Sequence, residues 1–347
     1  MDDFETWWNR ITGPRNFVEE IARHIDTKTF CALVLSVPEN GLPWHERLLD
    51  ILIKRQAHAN DMELVVRDGA EVKGGIGEFL LEECADDSQR ANYNRCSYRT
   101  TVDEFLVREG VFNGKIIWLQ NVGDVGKWKK HLFSNYEKKM SGKPVIFVLE
   151  TTDEDAAGGE KTGVLKYFDC VSEYDVHLFA SLVAAESANE PGLRRYITFV
   201  AEILCGYDVE SAVSFISDND FKDMNIVEIF FDNYNTAGMD RDWIGRKLWL
   251  AQLQAAFPRI EEERVKFVDK HFDQLLTSVP NLENVEEPYD VELRHMVFLF
   301  RTRELIVDRQ EYARVRLLHG LRNKLAHMEY CDAGEMYGLL SGGAVFF

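Results

Sequence analysis

The chain has 347 residues, of which 46% are hydrophobic, a formal net charge of −19 and a pI near 5.0. That length holds two or three domains with a real core, and the acidity excludes nonspecific binding to DNA or to an anionic membrane as a main task. The opening MDDFETWW has no basic-then-apolar leader, and the longest apolar runs, FCALVLSV and PVIFVL, are too short for a bilayer. A cytoplasmic protein without a membrane partner is expected. Six cysteines are scattered with no CxxC spacing, the pattern of reduced thiols rather than of a disulfide frame or a zinc site.

In chain order, DDFETWWNRI predicts a short helix, GPR a break, and NFVEEIARHI a restart with an apolar stripe at helical spacing. TFCALVLSV is a continuous apolar run, the mark of a strand buried on both faces. PWHERLLDILIKRQ predicts a helix with proline in its first turn, and MELVVRD a strand. TVDEFLVREG predicts a helix capped by Thr101, with Glu104 completing a capping box. KIIWLQNV and KPVIFVLETT predict strands on either side of a helix in DVGKWKKHLFSNYEKKM. Strands alternating with helices predict an α/β domain with a parallel sheet. TTDEDAAGGEKTG reads as an exposed acidic loop. From about Ser172 apolar residues recur at three-four spacing and the strand pattern stops, so the C-terminal part is expected to be all α. The boundaries are placed at 1–157 for the α/β domain, 158–220 for a helical lid-like segment and 221–347 for a helical domain.

This order of elements resembles the core of AAA+ and STAND-type P-loop ATPases over roughly Gly13 to Gly206, by order rather than by motif identity. In that family a strand runs into GxxxxGK[ST], whose glycines, lysine and hydroxyl grip phosphates and Mg²⁺. The equivalent stretch here is SVPENGLPWHE. Ser36 stands at the first glycine and Gly41 at the second, Leu42 replaces the lysine and Pro43 the hydroxyl residue. Leucine cannot offset phosphate charge, and proline has neither a hydroxyl nor an N–H. The strand IIWLQNV ends in the neutral amides Gln120 and Asn121 where the family holds its metal with acids. The resemblance therefore implies a degenerate P-loop-like domain with no ATPase activity and no cofactor, surviving as an interaction surface. Glu150 stands where the family often keeps a polar nucleotide sensor, and is expected to be a solvated strand end.

Two other glycine stretches are weak: GGEKTG (Gly158 to Gly163) lacks a strand leading into it, and KGGIGEF (Lys73 to Phe79) reads as a flexible loop. His271, His295 and His319 have no acid or cysteine at metal spacing, so core or surface roles are expected and no metal. EEERVKFVDKHFDQLL predicts one amphipathic helix with Phe267, Val268 and Leu275 inward, and Trp7 and Trp8 predict packing of helix on sheet.

Near the C-terminus, RVRLLHGLRNKLAHMEYCDAGEMYGLL resembles the signature region of the HEPN superfamily, helical bundles that carry R-x4-6-H with asparagine after the arginine. Arg322, Asn323 and His327 match. Active members are metal-independent endoribonucleases that work in a dimer cleft. The resemblance implies that His327 moves a proton at the ribose 2′-OH or the leaving oxygen, that Arg322 holds the phosphate, and that Asn323 orients the imidazole or the phosphate. It equally allows a binding scaffold without chemistry. Between Val291 and His327 eight arginines and lysines face four acids, and in this basic segment Arg314, Arg316 and Lys324 are the expected RNA contacts. A protein partner is expected, with RNA a second ligand and a homodimer through the C-terminal helices.

Overall fold

The computed structural model describes residues 2–26, 31–72, 74–137, 143–156, 162–188, 190–234 and 238–341. Two compact units divide the chain at Asp175 and Val176.

The first unit is an α/β domain. Before the sheet come α1 (Asp3–Glu5), a π-type turn over Thr6–Arg10, and α2 (Thr12–Ile25). The chain breaks at Ile11, which is extended, and the GPR stretch lies inside the first turn of α2. A proline in a first turn removes an N–H that had no helical partner anyway. The sheet follows: β1 (Cys31–Ser36), then α3 (His45–Leu48) and α4 (Lys54–Ala59); β2 (Glu63–Asp68), then α5 (Ile76–Cys84), α6 (Asp87–Cys96) and α7 (Val102–Arg108); β3 (Lys115–Gln120), then α8 (Val125–Leu132); and β4 (Val145–Thr151). The capping box of Thr101 and Glu104 is formed. A fifth strand, β5 (Thr162–Lys166), leads to α9 (Tyr167–Cys170). Five residues beside a glycine-rich stretch are too few to read as a strand from sequence. Of GGEKTG, residues 158–161 lie outside the described residues, while Thr162 and Gly163 begin β5.

All neighbouring strands are parallel, in the order β2-β3-β4-β1-β5. Parallel neighbours need crossovers, and crossovers are right-handed. The chain moves one way from β1 to β2 and the opposite way through β3 and β4, so the intervening helices fall on opposite faces. On one face Ile117, Leu119, Phe147 and Leu149 pack against Phe79, Leu80, Phe105, Leu106, Trp128 and Leu132 from α5, α7 and α8. The alternate side chains, among them Trp118, Val148 and Glu150, point to the other face. Burial on both faces is what the continuous apolar strand runs predict.

The second unit is helical: α10 (Glu173–Ser187, whose first three residues precede the division), α11 (Pro191–Cys205), α12 (Val209–Ser217), α13 (Ile226–Asn233), α14 (Arg241–Lys270), α15 (Phe272–Ser278), α16 (Leu293–Thr302), α17 (Arg309–Ala326) and α18 (Ala333–Leu340). The α14 helix carries Pro258 in its interior. Packing on both sides of it outweighs the lost hydrogen bond, about 3 kcal/mol, so the helix runs through the proline unbroken. The expected single helix EEERVKFVDKHFDQLL is instead divided at His271, with Phe267, Val268 and Leu275 buried as its pattern predicts. Among the described residues no helix is long and apolar enough to cross a membrane.

Candidate functional sites at the sheet end and on the basic helix

In an open parallel sheet, ligands bind outside the carboxyl ends of the strands where adjacent loops leave toward opposite faces. Here that crevice lies between β1 and β4, where Leu35 pairs with Glu150 and Ser36 with Thr151. The loops around it hold left-handed backbone at Gly41 (φ 79°), Trp44 (φ 48°) and Asn121 (φ 54°), a conformation that costs a bulky residue such as tryptophan energy the surroundings must supply.

The segment that follows β1 is packed by the protein's own side chains. Leu42 is 3% exposed. The Pro43 carbonyl accepts the indole N–H of Trp8 at 3.0 Å. Trp7 and Trp8 are wholly buried, and Phe4 meets Trp44 edge to face at 6.4 Å. Glu150 corrects its sequence reading: it is not a solvated strand end but is 5% exposed. Its Oε2 accepts the indole N–H of Trp118 at 2.7 Å and lies 3.0 Å from His45 Nε2, an ion-pair distance out of line for a good hydrogen bond. Gln120 Nε2 sits 2.9 Å from His45 Nδ1, and Asn121 donates to Asp68 at 3.3 Å. With the Gln120 amide donating to Nδ1, Nε2 carries the proton that faces Glu150. Both neutral amides at the end of β3 are thus engaged with protein partners, and a buried carboxylate stands near the end of β4.

Arg322 and Asn323 lie on α17, and His327 is the residue that caps its C-terminus. The helix ends in a Schellman turn: Met328 is left-handed (φ 62°), its N–H bonds the Leu325 carbonyl at 3.3 Å, and Glu329 N–H bonds the Lys324 carbonyl at 2.9 Å. Trp249 donates to the Leu325 carbonyl at 2.7 Å, and buried Gln252 clamps both backbone groups of Cys331 at 2.6 and 2.8 Å. His327 is therefore an exposed side chain on a fixed turn.

Asn323 does not orient His327: its amide Nδ2 lies 3.2 Å from His319 Nε2, one turn in the other direction. Of the expected RNA contacts, two are spoken for. Arg314 binds both oxygens of Glu263 at 2.6 and 2.7 Å and the carbonyls of Gly338 and Leu339, which ties α17 to α14 and α18. Glu263 is wholly buried, so Arg314 is a structural residue. Lys324 holds Glu335 at 2.6 Å. Arg316 is exposed, with its guanidinium 5.8 Å from the Tyr312 ring centre. Arg322 reaches a carboxylate only at 3.8 Å, on Glu292.

Sequence reasoning gave His319 only a core or surface role. Partial burial, then the nearby charges of Arg322, Arg301 and Arg316, hold its pKa below the ordinary 6.5. Three guanidinium groups thus crowd one imidazole, a concentration of positive charge suited to phosphate oxygens. The i, i+4 spacing of His319 and Asn323 is legible in sequence; the approach of Arg301 from α16 is not.

A scan against known families finds no matching family model, and a search of curated proteins finds no significant match.

Proposed function

We propose that the protein is a non-hydrolysing interaction or regulatory component whose α/β unit is a degenerate P-loop-like docking scaffold and whose HEPN-like helical unit meets RNA or a protein partner. Such a pairing suits a multi-protein defence or stress-response system in the cytoplasm. The single observation that carries it is Glu150: a buried carboxylate between Trp118 and His45 stands near the end of β4, beside the crevice where a triphosphate would have to sit. Placing phosphate beside it sets like charges together in a site with little water to screen them. Titration calorimetry with Mg²⁺-ATP tests this reading. No heat is expected, and measurable affinity that is lost on changing Leu42 or His45 would sink it.

One observation favours a second reading, a metal-independent endoribonuclease of HEPN type. His327 is exposed on a rigid turn and the ion pair of Arg322 with Glu292 is long, at 3.8 Å, so both are available to a phosphodiester, with Arg322 holding the phosphate and His327 moving the proton. Incubation of the pure protein with structured RNA in EDTA separates the two. Cutting that survives chelation and disappears in His327→Ala establishes the nuclease, whereas RNA retention without cutting in any oligomeric state favours the scaffold, with homodimerisation through the C-terminal helices read by light scattering.

A further inference from the structure

The face of the sheet that carries α5 to α8 holds a cleft of about 910 Å³, bounded by the first turn of α5, the α6–α7 connection and α8. That volume suits a small organic ligand. On one wall Lys127, Lys130 and His131 share a face of α8, spaced three and four apart. Lys127 and Lys130 are exposed, and neither has an ion-pair partner among the described residues. On the opposite wall Tyr98 presents its ring, 74% exposed, with the Arg99 guanidinium 4.8 Å from its centre.

Two of the three acids that line this cleft, Asp103 and Glu104, are already engaged. Asp103 accepts the hydroxyl proton of Tyr136, and its Oδ1 lies 3.0 Å from His131 Nε2. Asn135 Nδ2 sits 3.4 Å from His131 Nδ1, so the imidazole is fixed from both sides. Glu104 caps Thr101 at 3.2 Å. Glu78 folds back against Gly75, where an added Cβ would lie 2.0 Å from its Oε2; the first turn of α5 is thereby faced by a carboxylate and is not the anion grip. What remains is three cations, Arg99, Lys127 and Lys130, and an exposed aromatic plate across the opening.

Two unpaired ammonium groups on one helix face fit a phosphate, and a bare tyrosine ring fits a planar heterocycle. We propose that this cleft binds an organic phosphate the size of a nucleoside monophosphate, its phosphate on Lys127 and Lys130 and its ring laid against Tyr98. The site is separate from the crevice between β1 and β4, and it does not depend on the role proposed for either unit.

Titration calorimetry on the full chain with AMP, GMP, CMP and UMP, beside adenosine, ribose 5-phosphate and inorganic phosphate, tests it. At least one monophosphate is expected to bind more tightly than its nucleoside and than ribose 5-phosphate. The Lys127→Glu/Lys130→Glu double variant, at exposed positions and checked for an unchanged thermal melt, weakens that ligand at least about ten-fold. Tyr98→Ala weakens it while leaving inorganic phosphate unaffected, and Glu78→Gln, which removes the carboxylate facing the first turn of α5, strengthens it. Absence of heat from all seven compounds at millimolar concentration overturns the proposal. So does binding that ignores the lysine changes, or adenosine binding as tightly as AMP.

Discussion

Trp118 and Glu150, on adjacent strands β3 and β4, are joined by an indole N–H donated at 2.7 Å to a carboxylate oxygen, both side chains buried at the end of the sheet. The bond belongs to an interior where an unmade partner is expensive. Glu150→Ala leaves the buried indole N–H of Trp118 without its acceptor, and about 2 kcal/mol of stability is expected to go. Urea unfolding followed by tryptophan fluorescence checks this. A loss within error would mean that water serves Trp118 as well as Glu150 does.

Two arginines two residues apart on α17 are expected to behave in opposite ways. Arg314→Ala takes the bidentate partner from a wholly buried Glu263 and leaves it only Arg259, 2.9 Å away, so the lost charged hydrogen bonds are expected to cost about 2 kcal/mol. Arg316 points outward, so Arg316→Ala leaves the melting temperature nearly unchanged. If the basic face binds RNA, the same change weakens that binding across sequences and flattens its salt dependence. Thermal melts and filter binding at two salt concentrations, run on both variants, read the contrast. Equal destabilisation by the two would contradict the assigned geometry.

A buried acid sets a pH dependence in the helical unit. Burial pushes the Glu311 carboxyl up, but the ammonium of Lys270, the imidazole of His271 and the backbone N–H of Asp308 together outweigh it and hold the pKa below the ordinary 4.5. With the folded value depressed, the contribution is present above the unfolded value and is lost as pH falls through the folded one. Denaturant melts at stepped pH are expected to show stability declining below about 4.5, with the decline shallower in Glu311→Gln. Identical pH profiles for the two proteins would remove Glu311 from the account.

The strands β1, β3 and β4 were legible because burial on both faces writes a continuous apolar run, the edge strand β2 from its short apolar run LVV, and α7 because its cap is a local four-residue pattern. What escaped was set by distance. Glu150 looks like a strand end until Trp118 and His45, from other strands and loops, close over it. A charge count along Val291–His327 marks Arg314 and Lys324 as free, because Glu263 and Glu335 lie outside that window. Asn323 has a histidine one turn away on each side, and spacing alone cannot choose between them; the turn at Met328 carries His327 off the end of the helix and leaves His319 as the partner.

That choice fixes the last prediction. His319 is partly buried and its neighbours Arg322, Arg301 and Arg316 all disfavour a further positive charge, so its protonation midpoint is expected below 6.5. At neutral pH the ring is uncharged and its Nε2 is free to accept from Asn323. Proton NMR titration of the imidazole signals, with His319→Gln as the assignment control, measures this. Arg322→Ala and Arg301→Ala each remove a repelling charge and are expected to move the midpoint upward. A short RNA or a phosphate seated among the arginines brings negative charge to the ring and moves it the same way, so the shift reports occupancy of the basic face without requiring cleavage. A midpoint at or above the ordinary value in the unmodified protein, unmoved by either arginine change, would mean that the three guanidinium groups do not act on His319.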